Sequence, residues 1–313
     1  MKLRLIMLFL LLTVIVVTSC SYLQQIQQQQ IIAGPDFTPF DGLRTTVAVV
    51  PFVNKSDVDT KNLGSAIADM LISSLVRSGR FVVLEREQLE QIIHEQVLGQ
   101  TGVITEETTT EVGHLLGVQT LIIGEILEVE QETSLRTLGD EEDKKPWSID
   151  LKATVGHVNY AFKLIDTATG EIIASEHVSA TEFRPGIGVK TKEVDFEDTY
   201  ELDQTILGLA SRKAINKIAK LIVATASNIS WQGKIVKVNN DEAIYFTPGH
   251  STGVTIGDYF SVLRNVSDIP DSSVTMEEIA TIQVIQLLGD KVAISKLIDG
   301  LPVEVGDRVR SKQ

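Results

Sequence analysis

The chain has 313 residues and a formal net charge of −14, with few aromatic residues (5%) and a single cysteine. The excess of acidic groups repels a phosphate backbone, so nucleic acid is not an expected partner. A single cysteine leaves no intrachain disulfide and no cysteine-based metal site.

The first segment in chain order is a predicted export signal that ends before Cys20. A basic start precedes an apolar run from Leu5 to Val17, and small polar residues precede the cysteine. This pattern is typical of a secretory signal, and the run is too short to span a bilayer comfortably. Val17-Thr18-Ser19-Cys20 resembles the lipobox of bacterial lipoproteins, so we expect residues 1–19 to be removed and Cys20 to carry a diacylglyceryl group. An ordinary secreted protein with an unmodified cysteine is the alternative.

The residue after the cysteine predicts the destination. Ser21, rather than Asp, follows Cys20, which resembles the sorting rule of Gram-negative lipoproteins for the outer membrane. Several acyl chains on one residue hold more strongly than a single myristoyl chain. We therefore expect a lipid-anchored protein on the periplasmic side of the outer membrane, with Cys20 as the predicted site of lipidation.

Residues 20–44 are predicted to be a tether between the lipid and the folded body. They contain a glutamine-rich stretch from Gln24 to Gln30, followed by Gly34-Pro35 and Pro39. Such a polar, low-complexity segment cannot bury enough apolar surface to offset the entropy lost on ordering it.

Residues 45–228 show alternating strand and helix patterns. The predicted helices are Asn62–Ser78, Glu85–Leu98, Glu106–Leu116 and Leu202–Ala226. The predicted strands are Thr45–Phe52, Phe81–Leu84, Leu121–Val129, Ile149–Ile165 and Glu171–Phe183, with a hairpin turn from Asp166 to Gly170. We expect an α/β (α+β) domain in which helices cover one or both faces of a mixed sheet.

Four motifs follow one another in this domain, namely Val47–Phe52, Leu63–Leu71, Ser78–Arg86 and Leu116–Gly124. In this order they resemble the CsgG family of outer-membrane lipoproteins, which shares a fold type with TolB N-terminal domains. The resemblance covers about residues 45–227. It implies a component for the production or secretion of a surface structure, acting with protein partners, and leaves open whether the chain forms a homo-oligomeric ring.

Two departures from this family limit what the resemblance implies. A pore-forming member has a long loop with aromatic and amide side chains after the first strand, whereas Val53–Lys61 is short and lacks an aromatic residue. The hairpin regions Glu130–Lys152 and Phe183–Tyr200 carry many charges, and in the second they fall on both alternating faces. Because a charge at mid-bilayer costs about 2–4 kcal/mol, we expect both regions to lie in water.

Residues 229–313 are predicted to form a small β-barrel domain. Short strand patterns alternate with glycine- and aspartate-rich turns. The predicted strands are Gly233–Val238, Glu242–Thr247, Tyr259–Arg264, Glu278–Leu287 and Lys291–Ile298. The Gly253-Val254, Gly257-Asp258 and Gly306-Asp307 pattern is similar to the C-terminal domain of FlgT flagellar assembly proteins, which implies a periplasmic, non-catalytic module.

No residue pattern predicts catalysis, a cofactor or a metal. His94 lacks a second histidine at metal-ligand spacing. Asp140–Asp143 lacks the alternating spacing of a calcium loop and reads as a solvated tip. We expect Gly186–Gly188 to be a flexible loop. We expect Glu85-Arg86 to have a structural role, with Arg86 holding the second strand against a helix; a contact with a partner is the alternative. The chain is therefore not expected to be an enzyme.

Two functions remain open at this level. The first is a periplasm-facing, non-enzymatic assembly or export component for a cell-surface structure. The second is an oligomeric CsgG-like protein secretion channel in the outer membrane. The charges of the hairpin regions favour the first.

Overall fold

The computed structural model of this chain contains two separate β-sheets, a mixed sheet and a closed barrel. The residues that it describes are 19, 22, 25–26, 28–58, 62–84, 117–138, 149–187, 202, 205–226, 229–239, 243–265 and 276–312. The predicted fold class, a mixed sheet with flanking helices followed by an all-β barrel, is confirmed.

The first sheet has the strand order β3-β1-β4-β5-β6, and β2 pairs with β4 outside this path. β1 is parallel to β3 and β4, whereas β4, β5 and β6 are antiparallel neighbours. Its strands are β1 (Thr45–Val49), β2 (Val53–Asn54), β3 (Phe81–Val83), β4 (Thr120–Leu138), β5 (Ile149–Asp166) and β6 (Ile172–Ile187).

Two helices, α1 (Leu63–Ser78) and α2 (Ile206–Thr225), pack on this sheet and on each other. The buried residues of α1 recur at a helical spacing, which places one apolar stripe against the strands. The first two turns of α2 (Ile206–Arg212) are buried on all sides, and the spacing becomes helical only from Ala214 onward. The side chain of Thr205 accepts a hydrogen bond from the Gly208 amide and caps the first turn of α2. Both helices lie near their predicted limits.

Phe52 lies at the centre of the core of this domain, in a space that two glycines leave open. A Cβ atom at Gly64 would overlap the carbonyl oxygen of Phe52, and one at Gly124 would overlap its ring. The Phe52 amide donates to the Gly64 carbonyl at 3.1 Å, and its ring meets Tyr160 edge to face, with 6.2 Å between centroids. The socket, meaning Phe52, Gly64, Gly124 and Tyr160, therefore joins β1, α1, β4 and β5.

Tyr160 extends this contact to α2. Its hydroxyl oxygen lies 2.6 Å from Ser211 Oγ, and Ser211 donates to the Leu207 carbonyl at 2.7 Å. Burial raises the pKa of Tyr160 well above its ordinary value, although the Ser211 hydrogen bond opposes this shift. The hydroxyl therefore stays protonated and can donate to Ser211.

The second sheet closes on itself in the order β10-β11-β8-β7-β12-β9. Trp231, Phe246 and Phe260 fill its interior, with neighbouring ring centroids 4.9–6.2 Å apart. Its strands are β7 (Gln232–Val238), β8 (Ala243–Thr247), β9 (Tyr259–Asn265), β10 (Met276–Leu288), β11 (Val292–Gly300) and β12 (Arg308–Ser311).

An ion pair ties the last turn of the barrel to β9. Arg264 donates to both carboxylate oxygens of Asp307, at 2.9 and 2.7 Å, and Asp307 also accepts from the Glu304 amide at 2.7 Å. Burial alone would raise the pKa of Asp307, but the hydrogen bonds from Arg264 and Glu304 outweigh it and hold the pKa below its usual value. The carboxylate is thus ionised in the folded barrel and orients the turn before β12.

The structure differs from the sequence-based expectations in several elements. β4 and β6 continue beyond the predicted ends at Val129 and Phe183. Gly186 and Ile187 belong to β6, so the expected loop is wrong for these two residues. β12 was not predicted as a strand, although it completes the barrel by pairing with both β7 and β9. The predicted helices Glu85–Leu98 and Glu106–Leu116 lie outside the described residues.

Part of the expected tether is ordered against the first domain. Residues 28–33 are helical. The side chain of Asn216 on α2 donates to the Ile31 carbonyl at 2.8 Å, and Phe37 packs against the core. These contacts offset the ordering entropy that the glutamine-rich composition alone could not.

We expect Gly64→Ala to destabilise the first domain, although alanine is the better helix former by about 1 kcal/mol. The new methyl group would overlap the Phe52 backbone, and overpacking of this kind typically costs about 1–3 kcal/mol. Ser73→Ala, at an exposed position on the same helix, is the control and should change the free energy of unfolding by only about a few tenths of a kcal/mol. Urea unfolding of both variants measures this, and a stabilised Gly64→Ala protein would contradict the socket.

We expect Asp307→Asn to destabilise the barrel by about 1.5–3 kcal/mol at neutral pH, as for a lost hydrogen bond to a charged group. The folded pKa of Asp307 lies below the unfolded value of about 3.9. Its contribution is therefore present above pH 4 and disappears as the pH falls through the folded pKa. The free energies of unfolding of the parent and of Asp307→Asn, measured from pH 7 down to pH 2, should differ most at pH 7 and become similar in acid. Asp299→Asn, at an exposed barrel position, should leave the profile unchanged.

Candidate interaction site on the strand arm

Three strands of the first sheet extend beyond the helix-covered core. α2 begins beside Gly156, where an added Cβ would lie 3.1 Å from the Ile206 carbonyl oxygen. From this point outward β4, β5 and β6 remain paired, up to Leu138 opposite Ile149 and Leu151 opposite Ile187. We call this extension the arm; it comprises residues 130–138, 149–157 and 181–187.

Polar contacts cross the base of the arm on one face. His157 on β5 pairs with Glu130 on β4 and with Thr181 on β6. Its Nδ1 atom lies 2.9 Å from Thr181 Oγ1, and its Nε2 atom lies 3.6 Å from a carboxylate oxygen of Glu128. These contacts link all three strands and hold them in register.

The strand register assigns the arm residues to two faces, because directly paired residues share a face. The face that continues the core contains Gln131 and Thr133 on β4, with Glu182 and Arg184 on β6. The opposite face contains Glu130 and Glu132 on β4, with Val155 on β5 and Phe183 on β6. Both faces therefore carry charged residues.

Most of these side chains are accessible. Residues 130–134 on β4 and 183–185 on β6 are exposed. Phe183, 57% exposed, is the bulkiest apolar side chain among them. A surface that combines charged groups with one large apolar side chain suits contact with a partner protein better than contact with lipid tails.

Lysines of α2 cover the outer side of β6 near the base of the arm. Lys217 Nζ donates to the Ser179 carbonyl at 2.8 Å, and Lys213 Nζ donates to the Thr181 carbonyl at 3.1 Å. Lys213 also lies 3.5 Å from a Glu182 carboxylate oxygen. Backbone acceptors on an outer strand would otherwise be open to another strand, and lysine is a common means of blocking this. Strand addition is thus disfavoured at the base of the arm.

Most residues that the sequence singled out lie outside the described residues. These are Cys20, Glu85, Arg86, His94 and Asp140–Asp143. Gly186 and Ile187 are the exception, and they lie in the arm. Sequence reasoning did not find the arm as a three-stranded unit, because its strands are polar and their pairing depends on backbone hydrogen bonds.

Within the described part of the chain, no group of three or more His, Cys, Asp or Glu side chains is arranged to hold a metal ion. No helix in the same part is long and apolar enough to cross a membrane.

The mixed sheet with two helices on one face, followed by a barrel, defines an α+β protein class. Within this class, the family model described as "Curli production assembly/transport component CsgG" matches residues 18–245. The chain therefore belongs to the CsgG family. The matched range includes the socket and the arm and continues into the barrel as far as β8. No curated protein matches the chain.

Solved structures give weaker likenesses. The hypothetical protein CT253 from Chlamydia trachomatis is 14% identical over 59% of this chain and 99% of that chain, with a TM-score of 0.37. Lipoprotein GNA1162 from Neisseria meningitidis is 13% identical over 59% of this chain and 99% of that chain, with a TM-score of 0.31. The PelC dodecamer from Paraburkholderia phytofirmans is 14% identical over 59% and 90%, with a TM-score of 0.27. At such low TM-scores these likenesses support no conclusion about function.

We expect both faces of the arm to be accessible to water in the membrane-bound protein. Glu132→Cys and Thr133→Cys place thiols on opposite faces at neighbouring exposed positions. A charged maleimide should label both at comparable rates, and Val158→Cys, which is fully buried, should react only after denaturation. If Cys20 is lipidated, the parent should not react at all. Protection of one face in lipid, with its release in detergent, would contradict the expectation.

Proposed function

We propose that this chain is a periplasm-facing outer-membrane lipoprotein that acts as a non-enzymatic assembly or export component for a cell-surface structure. Membership of the CsgG family supports a role in assembly or transport. The lipobox at Cys20 and the following Ser21 support anchoring to the outer membrane. Within this proposal, residues 45–228 form the CsgG-like unit and residues 229–313 a separate barrel.

The observation that carries this proposal is the charge distribution on the arm. Glu130 and Glu132 lie on one face, whereas Glu182 and Arg184 lie on the other. A strand that crosses a bilayer needs one uninterrupted apolar face, since each Arg or Lys at the midplane costs about 2–4 kcal/mol. The base of the arm is better suited to water and to a protein partner.

A second function, a homo-oligomeric secretion channel, is supported by the length of the strands. Outward from Glu130, β4 continues to Leu138, which approaches the roughly 9–11 residues of a membrane-crossing strand. In this alternative the whole arm, including its charged base, would have to enter the membrane. Both functions use the same surface, and ion conductance distinguishes them.

The test compares the purified lipidated protein with Cys20→Ala exported by a signal peptide whose cleavage does not require lipidation, because the natural signal, left uncleaved, would itself hold the variant in the membrane. We expect the parent to sediment with outer membranes and to resist alkaline carbonate, and Cys20→Ala to appear in the soluble periplasmic fraction, because Cys20 carries the predicted anchor. We expect no discrete currents when the parent is added to planar bilayers.

Two outcomes would contradict this proposal. Retention of Cys20→Ala in carbonate-washed membranes would show that another segment inserts. Single-channel currents, together with detergent-stable rings in electron micrographs, would establish the secretion channel. Ser19→Ala is a matched control next to the lipidation site and should fractionate with the parent.

A further inference from the structure

The segment before β1 lies against the first domain. Residues 28–33 are helical, and the Ile31 carbonyl accepts a hydrogen bond from Asn216 on α2 at 2.8 Å. Gly34 then lies against the guanidinium group of Arg77, which an added Cβ would overlap. Arg77 belongs to the last turn of α1. The segment therefore contacts both helices before it reaches the strand.

Further along, the segment continues past the end of α1. Phe37 packs against the core of the first domain. The guanidinium carbon of Arg80, two residues beyond α1, lies 4.6 Å from the centroid of the Phe40 ring, a cation–π contact. These contacts bring the chain to the side of the domain where the barrel lies.

The last residues of the segment bind the barrel. The Arg44 amide donates to the Thr252 carbonyl at 2.7 Å, and the Arg44 side chain donates to the Ser251 carbonyl at 2.8 Å. Leu43 packs against the barrel core. Gly253 faces the Gly42 carbonyl so closely that a Cβ would lie 2.6 Å from its oxygen atom. The barrel turn at residues 250–253 is thus shaped around this segment.

The segment adds to a smaller direct contact between the two units. Gln119, next to β4, donates a side-chain hydrogen bond to the Gln232 carbonyl at the start of β7. β3 also approaches the barrel turn at His250–Thr252. Relative motion of two domains is the default when the interface between them is small. Leu43 and Arg44 add a half-buried apolar contact and two further hydrogen bonds between the units.

We infer that residues 31–44 are a clamp that fixes the C-terminal barrel to the first domain, so that the two units move as one body. The clamp is held at α1 and α2 by residues 31–40 and at the barrel by residues 42–44. Its sequence was expected to be a free tether, and the structure uses it as an interdomain contact. This inference concerns the arrangement of the two units and does not depend on the lipid.

The clamp also sets where the barrel lies relative to the arm. α2 starts beside the base of the arm and ends before the barrel, and its 20 residues correspond to about 30 Å. The arm and the barrel therefore lie at opposite ends of α2.

One consequence rests on the proposed function. If Cys20 carries the lipid, the chain from residue 20 to residue 28 can span at most about 30 Å. The anchor would then lie within this distance of the helix at residues 28–33, which rests on α2 through Asn216.

The test uses two glycines of the barrel that differ only in the clamp contact. Gly253 and Gly257 both have positive φ angles, +89° and +99°, so alanine strains the backbone similarly at both. An added Cβ meets the Gly42 carbonyl at position 253 and nothing within 4 Å at position 257. Gly257→Ala is therefore a matched control for Gly253→Ala.

Spin labels at Lys163→Cys on β5 and Lys296→Cys on β11, both exposed, report the distance between the units in the full-length protein carrying Cys20→Ala. We expect one narrow distance distribution in the parent and in Gly257→Ala, and a clearly broader one in Gly253→Ala. Hydrogen exchange of residues 37–44 should also become about tenfold faster in Gly253→Ala only. Arg44→Met, which removes the bond to Ser251, should broaden the distribution as well, with Arg310→Met as its control.

A broad distribution of spin-label distances in the parent would overturn the inference that this segment is a clamp. So would equal effects of the two glycine variants, or a narrow distribution in both Gly253→Ala and Arg44→Met. Thermal unfolding of each variant, followed by circular dichroism, separates loss of the clamp from loss of the barrel fold. Because no readout involves the membrane, failure of this inference would leave the proposed function untouched, and the reverse also holds.

Discussion

The space around Phe52 is the constraint on which the first domain depends. The ring fits only because Gly64 on α1 and Gly124 on β4 carry no side chain, and it meets Tyr160 on β5 edge to face. Tyr160 in turn reaches Ser211 on α2. One aromatic residue after β1 thus fixes the relative positions of three strands and both helices. Close packing of this kind allows little variation in volume, which explains why glycines occupy these positions in the helix and the strand.

The core of the first domain positions the arm, and the charged side chains of the arm make it suited to water and to a partner protein. β4, β5 and β6 are buried on one face as far as Val129, Val158 and Ala180. Beyond these residues the same hydrogen-bonded ladder continues with polar and charged side chains, interspersed with apolar ones such as Val155 and Phe183. The arm can therefore project from the core without a core of its own, because antiparallel pairing satisfies the backbone groups. An accessible, charged extension is suited to binding a partner protein.

The segment before β1 connects the two units that the sequence predicts as separate domains. By composition residues 20–44 are a tether, and by contact residues 31–44 belong to both units. Asn216 holds the segment near one end, and Ser251 and Thr252 hold it at the other. A barrel bound in this way has a defined direction relative to the arm. An assembly component that must present two surfaces in fixed relation gains from such a contact.

The sequence by itself determined the elements whose side-chain pattern reflects burial. The stripes of α1 and α2, the apolar run of β1, and the glycine–aspartate turns of the barrel all repeat with the period of their secondary structure, so their types and approximate limits could be predicted. The motifs around Phe52 also sufficed to indicate the CsgG family. The single cysteine predicted an anchor from local sequence alone.

Only the tertiary structure decided the features that depend on partners distant in sequence. The outer parts of β4 and β6 are held largely by backbone pairing, and the closing strand β12 has only four residues, with Val309 as its one buried side chain, so no period could be detected. The helix at residues 28–33 is stabilised by α2, and the clamp by Ser251 and Thr252, more than 200 residues away from Arg44. A local sequence pattern indicates whether a side chain is buried, but it does not indicate which distant backbone atom that side chain contacts.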